Sequence, residues 1–284
     1  MSAHTSAWRG RRVLVTGSTG LLGAAVTREL LAQGAIVAGL VRDRGSGVEF
    51  VAELATKQFH IVHGRVEDVL RLRMSMAVHE VSAVFHFACS DPVGHDRGTS
   101  AILRATALYQ HKVPVVMARP AGQLRLATED DSPPVPLGIA RFGELFGGGD
   151  RKMFRVVPRT VMGLITGERT PTASTNDSPR DFVYVRDAAR ACLALAEAVG
   201  GESASMDYTF QSGWELNDHE IADCVTDVFG GKPPASCPAS PVNPLGWQAQ
   251  TPFGTAIGET IAWYREFLRT RLFGTRPTGT RKAA

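Results

Sequence analysis

The sequence predicts an α/β protein: a doubly wound parallel sheet with a small C-terminal α/β lobe. Three observations lead there. Short apolar runs alternate with helical patterns between residues 13 and 118, a glycine-rich turn joins the first run to the first helical pattern, and the alternation gives way to a mixed pattern after residue 146. Strands alternating with helices imply parallel neighbours covered by helices on both faces.

Val13 to Thr16 is a short apolar run of buried-strand type. Leu21 to Ala32 carries apolar residues at helical spacing, with Gly34 as a stop. Strands follow at Ala35 to Val41, Phe59 to Val62, Val81 to Ala88 and Val113 to Ala118. Helices are expected between them at Val48 to Ala55, Glu67 to Val78 and Gly98 to Tyr109. Arg119 to Pro134 holds Pro120, Gly122, Asp130, Asp131, Ser132, Pro133 and Pro134, which is loop chemistry. The crossover to the next strand, Pro136 to Phe142, therefore has little helical character, although a parallel crossover is usually helical.

In the second half, Phe154 to Ile165 reads as a helix that Pro158 either starts or kinks. Phe182 to Val185 and Tyr208 to Gln211 read as strands, and Asp187 to Val199, Asn217 to Phe229 and Ala256 to Arg271 as helices. Gly230 to Gly246, rich in Pro, Ser and Gly, reads as a surface connection.

With 284 residues, 44% apolar and 21% charged, the chain has room for one large domain with a small second lobe. Its formal charge of +3 comes partly from a tail with Arg271, Arg276, Arg281 and Lys282. No basic stripe with interleaved aromatics accompanies it, so no nucleic-acid partner is expected. Cys89, Cys192, Cys224 and Cys237 lack metal-ligand or redox spacing and read as reduced thiols of a cytoplasmic protein; no metal is expected. No apolar run precedes Val13, and no stretch approaches the roughly 20 apolar residues of a membrane span.

Gly17, Gly20 and Gly23 stand in Thr16-Gly-Ser-Thr-Gly-Leu-Leu-Gly23, after a strand and opening a helix. In such a turn one glycine permits the bend, one lets the backbone approach a pyrophosphate and one allows close helix–sheet packing. Gly17, Ser18, Thr19, Gly20, Leu21, Leu22 and Gly23 are thus the expected cofactor contacts, and the free N–H groups at the helix start suit an anion. The second strand runs into Arg42-Asp43-Arg44. An acidic group there binds the ribose of NAD and an arginine suits the 2′-phosphate of NADP; Asp43 points one way and Arg42 the other, so NAD and NADP both stay open.

These segments resemble the extended short-chain dehydrogenase/reductases, in the branch of NAD-dependent sugar-nucleotide epimerases and 4,6-dehydratases. Within that branch they resemble the CDP-glucose 4,6-dehydratases. The resemblance is carried by Val13 to Gly23, Val84-Phe-His-Phe-Ala88, Arg97-Gly-Thr99, Phe146-Gly-Gly-Gly-Asp150, Arg180-Asp-Phe-Val-Tyr-Val-Arg-Asp-Ala-Ala-Arg190, Leu245-Gly-Trp247 and Glu259 to Arg265. It implies a Rossmann-like dinucleotide-binding region over residues 1–145, a substrate lobe over 146–270 interleaved with the last strands, and a flexible basic tail over 271–284. It also implies a cofactor contact at Ala88, a nucleotide-diphosphate contact at Arg180, and a weaker one at Arg155.

The departures are as informative. The tyrosines are Tyr109, Tyr184, Tyr208 and Tyr264; four residues beyond them stand Val113, Ala188, Ser212 and Leu268, so there is no Tyr-x-x-x-Lys. In the family this couple moves protons during hydride chemistry, and its helix has no counterpart between Thr128-Glu-Asp-Asp131 and Pro136. The Ser/Thr expected at the end of the fifth strand is replaced by Ala118-Arg119, an adenine-contacting aspartate by Arg65, and an asparagine by Glu144. Glu144 beside Arg155 would repel a diphosphate. Because the missing helix commonly builds the family's dimer face, a homodimer would need another interface.

Asp91 and His95, at the mouth of the sheet, are the candidate catalytic acid/base pair, since a carboxylate can orient and charge an imidazole. Glu129-Asp-Asp131 reads as a solvated turn and His86 as a packed core histidine. The function implied is that of a repurposed family member acting on a small-molecule substrate, a sugar, nucleotide sugar or other small metabolite, without the usual Ser/Tyr/Lys set. Two alternatives stand beside it: an inactive homologue that serves as a binding or regulatory partner, and a cofactor-free cyclase, isomerase or lyase using the same cleft.

Overall fold

The computed structural model describes residues 6–42, 58–88, 97–109, 113–122, 135–168, 177–201, 205–234 and 241–273. In chain order these form β1 (Arg12–Thr16), α1 (Leu21–Ala32), β2 (Ile36–Val41), β3 (Phe59–His63), α2 (Val69–Val78), β4 (Ala83–His86), α3 (Arg97–Ala107), β5 (Val115–Pro120), β6 (Leu137–Phe142) and β7 (Glu144–Phe146). The second half adds α4 (Val156–Thr166), β8 (Arg180–Tyr184), α5 (Val185–Gly201), β9 (Met206–Thr209), β10 (Glu215–Leu216), α6 (Asp218–Phe229) and α7 (Phe253–Phe273). The helix expected at Val48 to Ala55 and the crossover at 123–134 lie outside the described residues.

Seven strands make a parallel sheet in the order β3-β2-β1-β4-β5-β6-β9. The chain leaves β1 toward β2 and β3, then returns to its other side with β4. Beyond β1 and β4, where the strand order reverses, a crevice opens at the carboxyl ends, and this is where such sheets take ligands. The glycine turn follows β1 directly.

Alternation along each strand divides the core between two layers. Val13, Val15, Phe85, Val116 and Ala140 pack with Ala24, Val26 and Leu30 of α1 and Ala188, Cys192 and Leu195 of α5. Leu14, Ala38, Val84, Met117 and Ile139 pack with Leu72 and Met76 of α2 and Ile102 of α3. The first-half pattern was readable because both layers are apolar.

The sequence reading ended the fifth strand at Ala118 and placed Arg119 in a loop. The structure corrects this: β5 continues through Arg119 and Pro120, which lie opposite Arg141 and Phe142 of β6. Proline is tolerated there because the strand ends and needs no further N–H.

A second, three-stranded sheet has the order β10-β8-β7, with β7 parallel and β10 antiparallel to β8. At three and two residues, β7 and β10 are too short to show a period in the sequence. Arg180-to-Arg190 supplies β8 and the start of α5. Asp187, 1% exposed, accepts from the Gln250 and Thr251 amides at 3.1 and 3.3 Å, while Trp247 Nε1 donates to the Asp187 carbonyl at 3.2 Å. The motif therefore fastens the segment before α7 onto α5.

Pro158 starts α4 rather than kinking it: it stands in the first turn, where its missing N–H costs nothing. Asn217 caps α6, accepting from the His219 and Glu220 amides at 2.9 and 3.0 Å, while Glu220 accepts from the Asn217 amide at 2.8 Å. Replacing Asn217 with Ala removes both acceptor contacts, and urea unfolding should show a loss of about 1 kcal/mol.

Candidate functional site

The turn after β1 is a crowded piece of backbone. Gly17 has φ +68°, and a Cβ there would stand 2.7 Å from the Ala88 amide nitrogen. A Cβ on Gly23 would stand 2.1 Å from the Gly17 carbonyl oxygen. Gly20 is different: it is exposed, has φ −81° and ψ 170°, and acts as the N-cap of α1 without a side-chain hydrogen bond. Gly17 and Gly23 thus let the strand, turn and helix close up, while Gly20 leaves the helix start open. First-turn N–H groups of a helix lack intrahelical acceptors and sit at its positive end. The cradle fits a dinucleotide pyrophosphate.

Ser18 is fully buried, with its hydroxyl 3.1 Å from where a Cβ on Gly39 would lie, so it packs inward against β2. Thr19 and Leu21 are half-buried beside Gly20. Arg42 is exposed just past β2, and Asp43 falls outside the described residues.

A first cavity of about 170 Å³ opens next to the turn, lined by Leu22, His86, Phe87, Ala88, Thr99, Met117, Ala118 and Arg119. Two expected cofactor contacts, Leu22 and Ala88, are in its wall. A polar chain crosses it. Arg119 Nη2 donates to Thr99 Oγ1 at 3.3 Å, Thr99 Oγ1 lies 3.2 Å from His86 Nε2, and His86 Nδ1 lies 2.7 Å from Thr16 Oγ1. The Ala88 amide also donates to Thr16 Oγ1, at 3.4 Å. Protons are best satisfied with Nδ1–H donating to Thr16 and Nε2 accepting from the Thr99 hydroxyl. His86 is buried, as expected from its strand, but it bridges two hydroxyls rather than packing among apolar groups.

A second cavity, of about 340 Å³, lies beyond the ends of β5, β6 and β9 and against β8 and β10. Its wall includes Pro120, Gly143, Glu144, Arg180, Asp181, Thr209, Gln211 and Glu215. Asp181 is 8% exposed and accepts from the Ser212 and Gly213 amides and the Ser212 hydroxyl, at 2.9 to 3.1 Å. Burial pushes its carboxyl above the usual carboxylate range, against the pull of those donors, and Glu215 adds to the rise.

Both expected substrate arginines are held by carboxylates. Arg180 pairs with Asp218, neither of the partners, Asp181 and Asp187, that lie within its own motif; its guanidinium stands 5.0 Å over the Phe182 ring. Arg155 reaches Asp150 at 3.2 Å, Glu144 at 3.3 Å and the Leu145 carbonyl at 3.3 Å, and it lines neither cavity. The candidate acid/base pair, Asp91 and His95, falls outside the described residues.

Among the described residues, no tyrosine or lysine lines either cavity. Tyr184 donates to Glu259 at 2.5 Å, and burial raises its pKa strongly. Tyr264 donates to the Asp150 carbonyl and is raised in the same way. Both phenols serve as fixed donors in the structure. Among the described residues, no group of side chains could hold a metal ion, and no helix is long and apolar enough to cross a membrane.

A doubly wound parallel sheet with a glycine turn at its switch point defines the Rossmann-like class of α/β proteins. The chain belongs to the NAD dependent epimerase/dehydratase family, whose pattern matches residues 13–119 and 125–208. It is 29% identical over 132 residues to a dTDP-glucose 4,6-dehydratase of an Actinoplanes species, spanning 39% of this chain and only 38% of that enzyme. It is 22% identical to a dTDP-4-dehydro-6-deoxy-D-allose reductase of a Streptomyces species, over 91% of this chain and 97% of that one. Among solved structures, the UDP-glucose 4-epimerase of Thermotoga maritima superposes with a TM-score of 0.70 at 17% identity, covering 90% of this chain and 99% of that one. The Bordetella bronchiseptica enzyme WbmH in complex with NAD+ superposes with a TM-score of 0.66 at 18% identity, covering 94% and 100%. These likenesses establish the fold.

The raised carboxyl of Asp181 has a stability consequence. A carboxyl whose folded pKa exceeds its unfolded value of about 3.9 favours the fold below that value and withdraws the contribution as pH rises through the folded value. The difference in unfolding free energy between the protein and its Asp181→Asn variant should move in the variant's favour as pH rises above about 4, read by urea unfolding.

Proposed function

We propose that this protein is an NAD(P)-dependent enzyme of the epimerase/dehydratase family acting on a sugar or other small metabolite without a Tyr/Lys couple. One observation carries the reading: a glycine turn with no room for a Cβ at Gly17 or Gly23 stands beside a cavity with its own polar chain, Arg119–Thr99–His86–Thr16. The bound nicotinamide would supply hydride exchange. The turn from Gly17 to Gly23 with Leu22 and Ala88 would hold the cofactor, and Arg42 would meet its adenosine end.

Within the chain, the Thr99 hydroxyl would pass a proton between the cavity and His86 Nε2, and Arg119 would favour negative charge developing on a substrate oxygen. Asp91 and His95 remain candidates for the same proton work. The substrate would lie across both cavities, near Arg180. The buried thiols of Cys192 and Cys224 fit a reducing compartment, and we place the enzyme in the cytoplasm.

Gly20 separates binding from folding. Its backbone angles suit any residue, and a Cβ there meets only the Gly17 carbonyl at 3.3 Å, whereas side chains at Gly17 or Gly23 would force the turn apart. Gly20→Trp should therefore keep a near-normal unfolding transition but bind NAD and NADP at least about tenfold more weakly, a loss of roughly 1.4 kcal/mol, in calorimetric titrations. Unchanged affinity in a folded variant would refute the cofactor site.

The denatured protein should also release NAD(H) or NADP(H), or the purified protein should bind one of them at micromolar levels. Failure of both would leave a cofactor-free enzyme.

A further inference from the structure

We propose that the first cavity favours the reduced, uncharged nicotinamide over its oxidised cation, so that the enzyme runs toward reduction of a carbonyl group. This rests on the functional reading above and gives its site a direction. Arg119 carries the preference.

Topology decides which end of a dinucleotide the cavity receives. The glycine turn follows β1, with β2 and β3 on one side of it and β4, β5 and β6 on the other. A pyrophosphate held at the turn sends the adenosine toward the end of β2, where Arg42 stands, and the nicotinamide across the switch point. The first cavity is on that second side: Phe87 and Ala88 follow β4, and Met117, Ala118 and Arg119 belong to β5. Its volume of about 170 Å³ is below the roughly 300 Å³ at which whole-ligand sites begin, so it suits one ring of a larger ligand. Leu22, Phe87, Ala88, Met117 and Ala118 give that ring an apolar wall.

The permanent charge in this wall has one sign. Of the described residues that line the cavity, Arg119 alone is permanently charged, and none carries a carboxylate. Its Nη2 donates to Thr99 Oγ1 at 3.3 Å within the same wall, which holds the guanidinium beside the space. The residue is carried by a strand, since Ala118, Arg119 and Pro120 all pair with β6. A guanidinium keeps its proton in proteins, so the charge is present at any working pH.

The oxidised nicotinamide is a cation, and the reduced one is neutral. A fixed cation beside an apolar-walled space repels the first and leaves the second alone. The same placement stabilises a carbonyl oxygen as it gains charge. In this direction the carbonyl carbon takes the hydride, the carbonyl π pair moves to the oxygen, and a proton from water joins that oxygen. The products are an alcohol and the oxidised cofactor.

Calorimetric titration with NADH, NAD+, NADPH and NADP+ tests this, beside ADP-ribose and its 2′-phosphate, which lack the ring. The reduced form of the preferred cofactor should bind at least about tenfold more tightly than the oxidised form, which sets the bound couple about 30 mV above the free one. Arg119→Met should reduce that ratio about threefold or more, and Arg119→Lys, which keeps the charge, should retain most of it. Affinity for the ringless nucleotide should be the same in all three proteins, which also shows that the variants fold. Equal binding of the two redox forms, or tighter binding of the oxidised one, would overturn the proposal, as would a ratio that survives Arg119→Met. Failure of every nucleotide to bind would overturn the cofactor reading and this inference with it; binding without a redox preference would overturn this inference alone.

Discussion

Everything near the candidate site depends on how closely the turn after β1 approaches the end of β4. With no room for a Cβ at Gly17 or Gly23, backbone lies against backbone, and α1 starts directly over the crevice. The first cavity lies beside this contact, with Leu22 from α1 and Ala88 from beyond β4 both in its lining. Thr16, at the end of β1, also lies beside His86, at the end of β4, in ladder register.

Around the second cavity the controlling feature is ion pairing. Arg180 goes to Asp218, Arg190 to Asp187, Arg155 to Asp150 and Glu144, and Arg141 to Asp207. Partly buried pairs of this kind fix geometry more dependably than they add stability, since desolvation offsets much of the attraction. Here they join β6 to β9, β8 to α6, and α4 to the loop before it.

Much of the fold was legible because its core is two apolar layers with regular alternation. Val13-Leu-Val could be read as a buried strand, and Gly34 as a helix stop, without any knowledge of partners. Where tertiary pairing decides, the signal failed. Arg119 and Pro120 look like loop residues and become strand only because β6 lies alongside. β7 and β10 are strands only through β8. At the site, the glycine cradle was legible from spacing. The chain from Arg119 to Thr16 was not, for its members lie 13 to 70 residues apart and meet only through the sheet register. Asp218 as the partner of Arg180 was hidden for the same reason, lying 38 residues on, past two strands.

The missing Tyr/Lys couple need not mean missing chemistry. A phenol with a pKa of about 10 needs a neighbouring cation before it can exchange protons near neutrality, whereas an imidazole does so at its ordinary value of about 6.5. The first cavity offers that alternative in a constrained form. His86 is reached from the cavity through the Thr99 hydroxyl, and Arg119 bonds the same oxygen. Epimerisation and dehydration both require a proton to leave and another to arrive within one site. In the reading proposed above, His86 and Thr99 would have to meet that requirement in place of the couple, with the Arg119 guanidinium beside the same hydroxyl.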